Sequence, residues 1–236
     1  VGAAILGKQK GFEVLLSDKG RVAKKYKDVL SQYHINFEEG KHSENIIFKA
    51  SLVVKSPGIP DTIPLLLKLK EKGIGVISEI EFAAKYTAAT LVGITGSNGK
   101  TTTALLTQFI LKNAEINSGI AGNIGDSFAK QVATQSFENY VLELSSFQLD
   151  GIVDFKCHIA ILTNITPDHL DRYEDDFNKY IDAKFRITKN QTASDYLIYD
   201  ADDETINTWL QKNSTKATLI PFSLEKKLAY GAFLKE

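Results

Sequence analysis

Residues 95–102 read Thr-Gly-Ser-Asn-Gly-Lys-Thr-Thr, directly after the apolar run Leu91-Val92-Gly93-Ile94 and before a helical stretch at 102–112. Strand, glycine loop, then helix is the context a phosphate-binding loop requires. Gly96 and Gly99 let the backbone N–H groups of the loop, which includes Ser97, Asn98 and Thr102, turn onto phosphate oxygens. The helix start adds a favourable dipole. Lys100 would neutralise the β- and γ-phosphates, and the Thr101 hydroxyl would reach Mg²⁺. The standard spacing asks for glycine at 94, where this chain has Ile94. Without a nucleotide, the same residues read as a Gly-Asn turn; the Gly-Lys-Thr-Thr ending favours the phosphate site.

Three further positions carry charge where charge needs a reason. Glu143 closes the apolar run Tyr140-Val141-Leu142. A carboxylate at a strand's carboxyl end beside a phosphate loop can hold the nucleotide's Mg²⁺; the lesser alternative, for the residue taken alone, is a solvated strand-end acid. Asp168-His169 follows the strand pattern 158–162, and the pair can ligate metal or orient a substrate. By itself His169 is a satisfied loop histidine. Lys184 lies on the same helical face as Phe177, Tyr180, Ile181, Phe185 and Thr188 within 175–189. A lysine pointing inward needs an anion or a lowered pKa; the alternative is a snorkelling lysine at the edge of that face. His34, His42 and His158 lack such neighbours and read as structural or surface residues. Cys157 reads as a small core hydrophobe.

The elements that must position these residues are α/β in pattern. Residues 1–11 read as a helix, and Phe12-Glu13-Val14-Leu15-Leu16 as a buried strand closed by Ser17-Asp18. Helix, strand and a terminal acid make half of a dinucleotide-type βαβ unit, whose opening strand and glycine loop would precede residue 1. Runs at 46–48, 52–54 and 75–77 read as further strands, with a helix at 62–72 between the last two. Ser56-Pro57-Gly58-Ile59-Pro60 is then a loop after a strand, where ligands sit in open α/β sheets. A second series begins at Thr90, with strands at 91–94, 140–142, 158–162, 196–199 and 219–220, and a helix starting at Thr205 that Trp209 anchors. The expected division is therefore 1–88 and 89–236, two parallel-sheet α/β domains, the first Rossmann-like and the second of the P-loop type.

Composition agrees with this and narrows the function. At 236 residues and about 150 per domain, the chain holds one large or two modest domains. Lys and Arg total 28 against 29 Asp and Glu, for a net charge of −1, which argues against a strongly basic nucleic-acid binder. No apolar run approaches the roughly 18 residues of a membrane helix, and no signal-peptide pattern is visible, so no membrane insertion is expected. The single cysteine excludes an internal disulfide and suits a reducing cytoplasm. The absence of methionine and the opening Val1-Gly2 raise the expectation of a fragment.

Taken together, the motifs resemble the Mur ligases, the ATP-dependent amide-forming enzymes of bacterial cell-wall precursor assembly. The resemblance rests on residues 95–102, Gly122-Asn123-Ile124-Gly125, Glu143-Leu144-Ser145-Ser146-Phe147-Gln148-Leu149, the Asn-Ile-Thr-Pro-Asp-His-Leu-Asp-Arg-Tyr run at 164–173, and Asp182-Ala183-Lys184. The loop form is shared with folylpolyglutamate synthases; the Ser-Ser-Phe-Gln-Leu run is more selective. It points to the branch that adds D-glutamate to UDP-N-acetylmuramoyl-L-alanine. Family architecture has UDP-binding, ATP-binding and C-terminal domains, so the resemblance implies a chain lacking the third and inactive alone. It also implies a cytoplasmic protein, expected as a monomer. Asp18, Ser56 and Gly58 would contact the UDP moiety. Asn123, Ser145 and His169 would face the muramoyl-alanine end. Thr101 and Glu143 would hold one Mg²⁺, and His169 with a carbamylated Lys184 a second. Lys100, Lys184 and His169 would be the catalytic residues. The alternatives are a sibling ligase, a folylpolyglutamate synthase, or a non-catalytic nucleotide-binding module.

Overall fold

The computed structural model describes residues 1–235, which divide into two compact units, Val1–Thr87 with Asp126–Ser136, and Ala88–Gly125 with the chain from Phe137 on. The first unit runs α1 (Gly2–Gln9), β1 (Leu15–Asp18), α2 (Lys24–Gln32), β2 (Asn36–Glu39), α3 (Glu44–Ile47), β3 (Leu52–Lys55), α4 (Pro64–Glu71), β4 (Gly75–Ser78) and α5 (Glu79–Ala84). β1 pairs with β2 and β3 with β4, both in parallel. Parallel neighbours need crossovers, and α2 and α4 supply them. Pro64 opens α4 at a position where its missing N–H costs nothing, and the Ser78 hydroxyl caps α5 by accepting from the Glu81 N–H. Ile5, Val22, Leu30 and Ile35 form a buried cluster in this unit.

Two sequence expectations shift here. The strand read at 12–16 starts only at Leu15, and Phe12 stays exposed, edge-on to Phe82 at 6.4 Å. Residues 46–48 are not a strand: Ile46 and Ile47 lie in α3 and Phe48 is its C-cap. The strand of that region is β2, Asn-Phe-Glu-Glu, in which Phe37 is the only apolar residue. Its two acids accept hydrogen bonds, Glu38 from Ser17 Oγ and Ser43 N, Glu39 from Val22 N and Lys27 Nζ. A four-residue strand ending in carboxylates shows no apolar run to find.

The second unit is built on β5 (Thr90–Thr95), α6 (Lys100–Asn113) and β6 (Ser118–Gly122). The chain then contributes α7 (Phe128–Thr134) to the first unit, where it packs on α1 and α5, with Ala133 against the Ile5 cluster. Sequence order alone placed this helix in the second domain; its apolar face instead pairs with helices some fifty or more residues upstream. The second unit continues with β7 (Asn139–Glu143), α8 (Ser146–Asp150), β8 (Ile159–Leu162), α9 (Phe177–Phe185), β9 (Tyr196–Asp200), α10 (Glu204–Lys212), β10 (Thr218–Ser223) and β11 (Ala232–Phe233). Its seven strands are all parallel, in the order β11-β10-β9-β8-β5-β7-β6. Ile94, Ala104 and Val141 form the buried centre between β5, α6 and β7. Gly93 in β5 is required by packing, because a Cβ there would collide with the buried Cys157 sulfur.

The sheet order places β7 on one side of β5 and β8 on the other. The chain leaves β5 toward one edge and later returns to the opposite side. The crevice beyond the carboxyl ends of β5, β7 and β8 is thus the switch point at which open α/β sheets bind ligands.

Candidate phosphate and metal site

Backbone conformation first decides where the loop can go. Gly96 has φ 145° and Gly99, the N-cap of α6, has φ 80°, both in the region that L side chains avoid. At Gly96 a Cβ would also meet the Thr163 hydroxyl and the Asn164 backbone. The loop is held from the β8 side. Asn164 accepts from the Ser97 N–H through its carbonyl (2.9 Å) and from the Asn98 N–H through Oδ1 (2.9 Å). Thr163 Oγ1 donates to Asn98 O at 2.7 Å. The N–H groups of Ser97 and Asn98 are therefore committed to the protein. The N–H groups of the first turn of α6, Lys100 to Thr102, have no intrahelical acceptor and are the ones open to an anion.

The Ser97 side chain braces the loop. Its Oγ donates to Thr166 O (2.8 Å) and accepts from Thr166 N (2.9 Å), so across the 3.1 Å contact Tyr180 is the donor. Asn164, Thr166 and Tyr180 are site residues that sequence reasoning missed as individuals. Their only signal is the polar run after β8 and a tyrosine one turn before Lys184.

The two lysines converge. Lys100 Nζ donates to the carbonyls of Gly96 and Ser97, each at 2.8 Å, and Lys184 Nζ donates to the same Gly96 oxygen at 2.8 Å. Lys184 is 2% exposed, with its ammonium 4.8 Å from the Tyr180 ring centre. Burial, and next the charge of Lys100, push its pKa down to about 7. The inward lysine of the sequence pattern is therefore real, and its amine is held beside the Lys100 cation, which disfavours its protonated form. Such a pair is stabilised by an anion.

Glu143 sits at the end of β7, opposite Ile94 in register and 2% exposed. Its Oε2 accepts from Thr101 Oγ1 at 2.7 Å and its Oε1 from Asn123 Nδ2 at 2.9 Å. Asn123 reaches it because Gly122, at φ 104°, turns the chain so close to the Glu143 carbonyl that a Cβ would collide with it. The hydroxyl and carboxylate of Thr101 and Glu143 are hard oxygen donors side by side at the helix start, the donor chemistry that suits Mg²⁺. Among the described residues no three His, Cys, Asp or Glu side chains are grouped as a metal site.

His169 stands apart from that pair. It has left-handed backbone (φ 51°), its side chain is 59% exposed, Asp168 lies 3.6 Å from Nε2, and its ring is 5.4 Å from Phe147. Ser145 forms a capping box with Gln148: its Oγ accepts from Gln148 N, and Gln148 Oε1 accepts from Ser145 N. The Ser-Ser-Phe-Gln-Leu run thus has a local structural purpose as well.

In the first unit, Asp18 ends β1 exposed, with Oδ1 accepting from Gly20 N at 2.7 Å. Ser56 and Gly58 lie in the loop after β3, where Ile59 N donates to Ser56 O at 3.1 Å. Gly58 has a φ that is not positive, and nothing lies within 4 Å of a Cβ built on it. Neither backbone nor packing requires glycine there, which leaves room for an outside group to approach the chain. His158, read as structural, accepts from Leu91 N through Nδ1 at 3.1 Å. No helix among the described residues is long and apolar enough to cross a membrane.

Residues 94–236 match the Mur ligase middle domain and residues 3–63 the MurD N-terminal domain. A UDP-N-acetylmuramoylalanine--D-glutamate ligase of Christiangramia forsetii is 57% identical over 235 residues, covering 100% of this chain and 53% of that protein. A protein of the same name from Bacteroides thetaiotaomicron is 53% identical, with the same coverage of both. The chain spans about half the length of the curated relatives it matches. Among solved structures, the UDP-N-acetylmuramate:L-alanyl-gamma-D-glutamyl-meso-diaminopimelate ligase of Neisseria meningitides shares the fold. Its TM-score is 0.67 at 19% identity, covering 98% of this chain and 78% of that one. The phosphate loop with isoleucine where the common spacing has glycine, the paired lysines and these matches agree: the chain belongs to the Mur ligase family.

Proposed function

We propose that this chain is the nucleotide- and ATP-binding part of a ligase that joins D-glutamate to UDP-N-acetylmuramoyl-L-alanine. The reaction runs through an acyl phosphate in cytoplasmic cell-wall precursor synthesis, and the protein acts as a monomer. The observation that carries this reading is the convergence of Lys100 and Lys184 on one carbonyl oxygen, beside the Thr101–Glu143 pair. A substrate carboxylate must attack the γ-phosphoryl of ATP, so two anions have to meet. Lys100 and the N–H groups at the start of α6 neutralise the phosphates and fix their position. Thr101 and Glu143 would hold one Mg²⁺, with His169 and a modified Lys184 serving a second. Mg²⁺ supplies further charge neutralisation of both anions when bound.

Lys184 enters as a base-form amine. With its pKa near 7, a large fraction is neutral at physiological pH, so its nitrogen can bond to the carbon of CO₂ and release a proton, leaving a carbamate. That converts a repelled cation into an anion with oxygen donors, which Lys100 and a hard cation then stabilise. Asp18, Ser56 and Gly58 hold the UDP end. Asn123, Ser145 and His169 face the muramoyl-alanine end, Asn123 and Ser145 sharing hydrogen-bonding capacity already used by Glu143 and Gln148. The acyl phosphate is then open to the amine of D-glutamate, giving amide, ADP and phosphate. The test is amino-acid selectivity of the full-length ligase carrying this sequence. Turnover is expected with D-glutamate; equal turnover with L-alanine or a diamino acid, or binding of ATP without ligation, overturns the reading.

A further inference from the structure

Lys55 is the last residue of β3, and its side chain is only 8% exposed. The segment it precedes folds into two successive turns, Ile59 N to Ser56 O at 3.1 Å and Ile63 N to Pro60 O at 3.4 Å. Pro57 suits the second position of the first turn, and the ordinary φ of Gly58 makes it a turn that needs no glycine. Lys55 Nζ reaches across both turns, donating to Ile59 O at 3.0 Å and to Asp61 Oδ1 at 2.6 Å. Among the described residues it is the one buried cation of the first unit. A buried ammonium demands partners, and the partners it has lie on the far side of the loop that carries Ser56 and Gly58.

We infer that Lys55 is a positioning residue for ligand recognition: its ammonium clasps Ile59 and Asp61 so that Ser56, Pro57 and Gly58 are held in one shape before the ligand arrives. The inference rests on the proposed uridine-nucleotide reading of this loop and adds what keeps the loop ready. Two observations meet there. The clasp spends a buried charge on a short surface loop, and the residue at its tip is a glycine whose φ is not positive and whose Cβ position is open. Pre-ordering a loop removes entropy that binding otherwise has to overcome, so its loss acts on affinity and leaves the chemical step alone.

The test uses the full-length ligase with Lys55→Met, which keeps the stem and removes the charge, alongside Lys55→Arg and Asp61→Asn. Steady-state kinetics with UDP-N-acetylmuramoyl-L-alanine, and amide hydrogen exchange of residues 57–63 in the free protein, are read together. Lys55→Met is expected to raise KM for that substrate about fivefold to tenfold with kcat and the KM for ATP within twofold, and to speed exchange across the loop. Asp61→Asn should show a smaller KM rise, because the Ile59 contact remains, and Lys55→Arg should restore most of the affinity. Unchanged exchange overturns the clasp, and faster exchange with unchanged KM overturns its role in recognition. If the wild-type protein shows no saturable use of a UDP-linked substrate, the nucleotide reading itself fails. Exchange then still reports whether Lys55 orders the loop.

Discussion

Charge is buried at the phosphate-loop end of the second unit and mostly exposed at the carboxyl edge of the first. In the second unit Glu143 and Lys184 are each 2% exposed, and each is held by groups from other elements. In the first, Asp18 is exposed and Ser17, Glu38 and His42 form a surface-linked cluster. Ser17 Oγ donates to Glu38 at 2.7 Å and meets His42 Nδ1 at 2.6 Å. Hydrogen bonds from Ser43 hold the Glu38 carboxyl down near a pKa of about 2. The difference teaches where strain and electrostatic cost are concentrated. Positive-φ glycines, a pair of converging lysines and an inward carboxylate crowd one short crevice of the second unit. At the carboxyl edge of the first unit, the buried charge is Lys55, and the Ser17, Glu38 and His42 cluster lies nearer the surface. Chemistry belongs where groups are desolvated and pre-arranged; recognition of a large polar ligand tolerates a wetter edge.

The comparison breaks most sharply at Lys184. Lys184→Ala in the full-length ligase is expected to lower kcat by about a thousandfold, the scale of losing a pre-arranged group at the reacting centre. Short carboxylates should restore part of the rate. Wild-type rates with unmodified mass at residue 184 would remove the carbamate from the mechanism. Next in size is Gly122→Ala. It forces an L side chain to φ 104° against the Glu143 carbonyl and should cost about 3 kcal/mol in urea unfolding, with Glu143 displaced. A stable Gly122→Ala protein would show that Asn123 and Glu143 do not depend on this turn.

A third test reads the buried cation directly. The folded-state pKa of Lys184 is below its unfolded value of 10.5, so between about pH 7 and 10.5 the unfolded chain binds a proton that the folded chain does not. This contribution makes stability rise with pH over that window, by about 1.4 kcal/mol per unit at most, and its penalty is fully present below about pH 7. In CO₂-free buffer, Lys184→Met should flatten the slope of the urea midpoint between pH 7 and 9. An identical slope in both proteins would mean that Lys184 is not desolvated.

What could be read beforehand followed the same division. The phosphate loop, Glu143 and the inward Lys184 were visible because burial imposes pattern: apolar strands announce what stands at their ends, and a lysine within an apolar helical face is an anomaly. The brace of Asn164, Thr166 and Tyr180 was not, since its members are ordinary polar residues whose contacts span 66 to 83 positions. β2 escaped because two of its four residues are the carboxylates Glu38 and Glu39. The return of α7 to the first unit is a tertiary choice made by α1 and α5, to which no local signal in 126–136 points.

The smallest expected effect distinguishes the two regions most cleanly. At Gly58 an alanine finds ordinary φ and open space, so Gly58→Ala should leave the fold intact or stabilise it by about 0.5 kcal/mol through the unfolded chain. The same change at Gly96 or Gly122 cannot be neutral, because backbone and neighbours both forbid it. If glycine at 58 serves an approaching ligand, Gly58→Ala keeps or raises the thermal midpoint while weakening UDP binding several-fold in calorimetry. A loss of stability would place the requirement inside the protein. Unchanged binding would leave this glycine without a role and remove the strongest reason, apart from family resemblance, for seating the nucleotide on this loop.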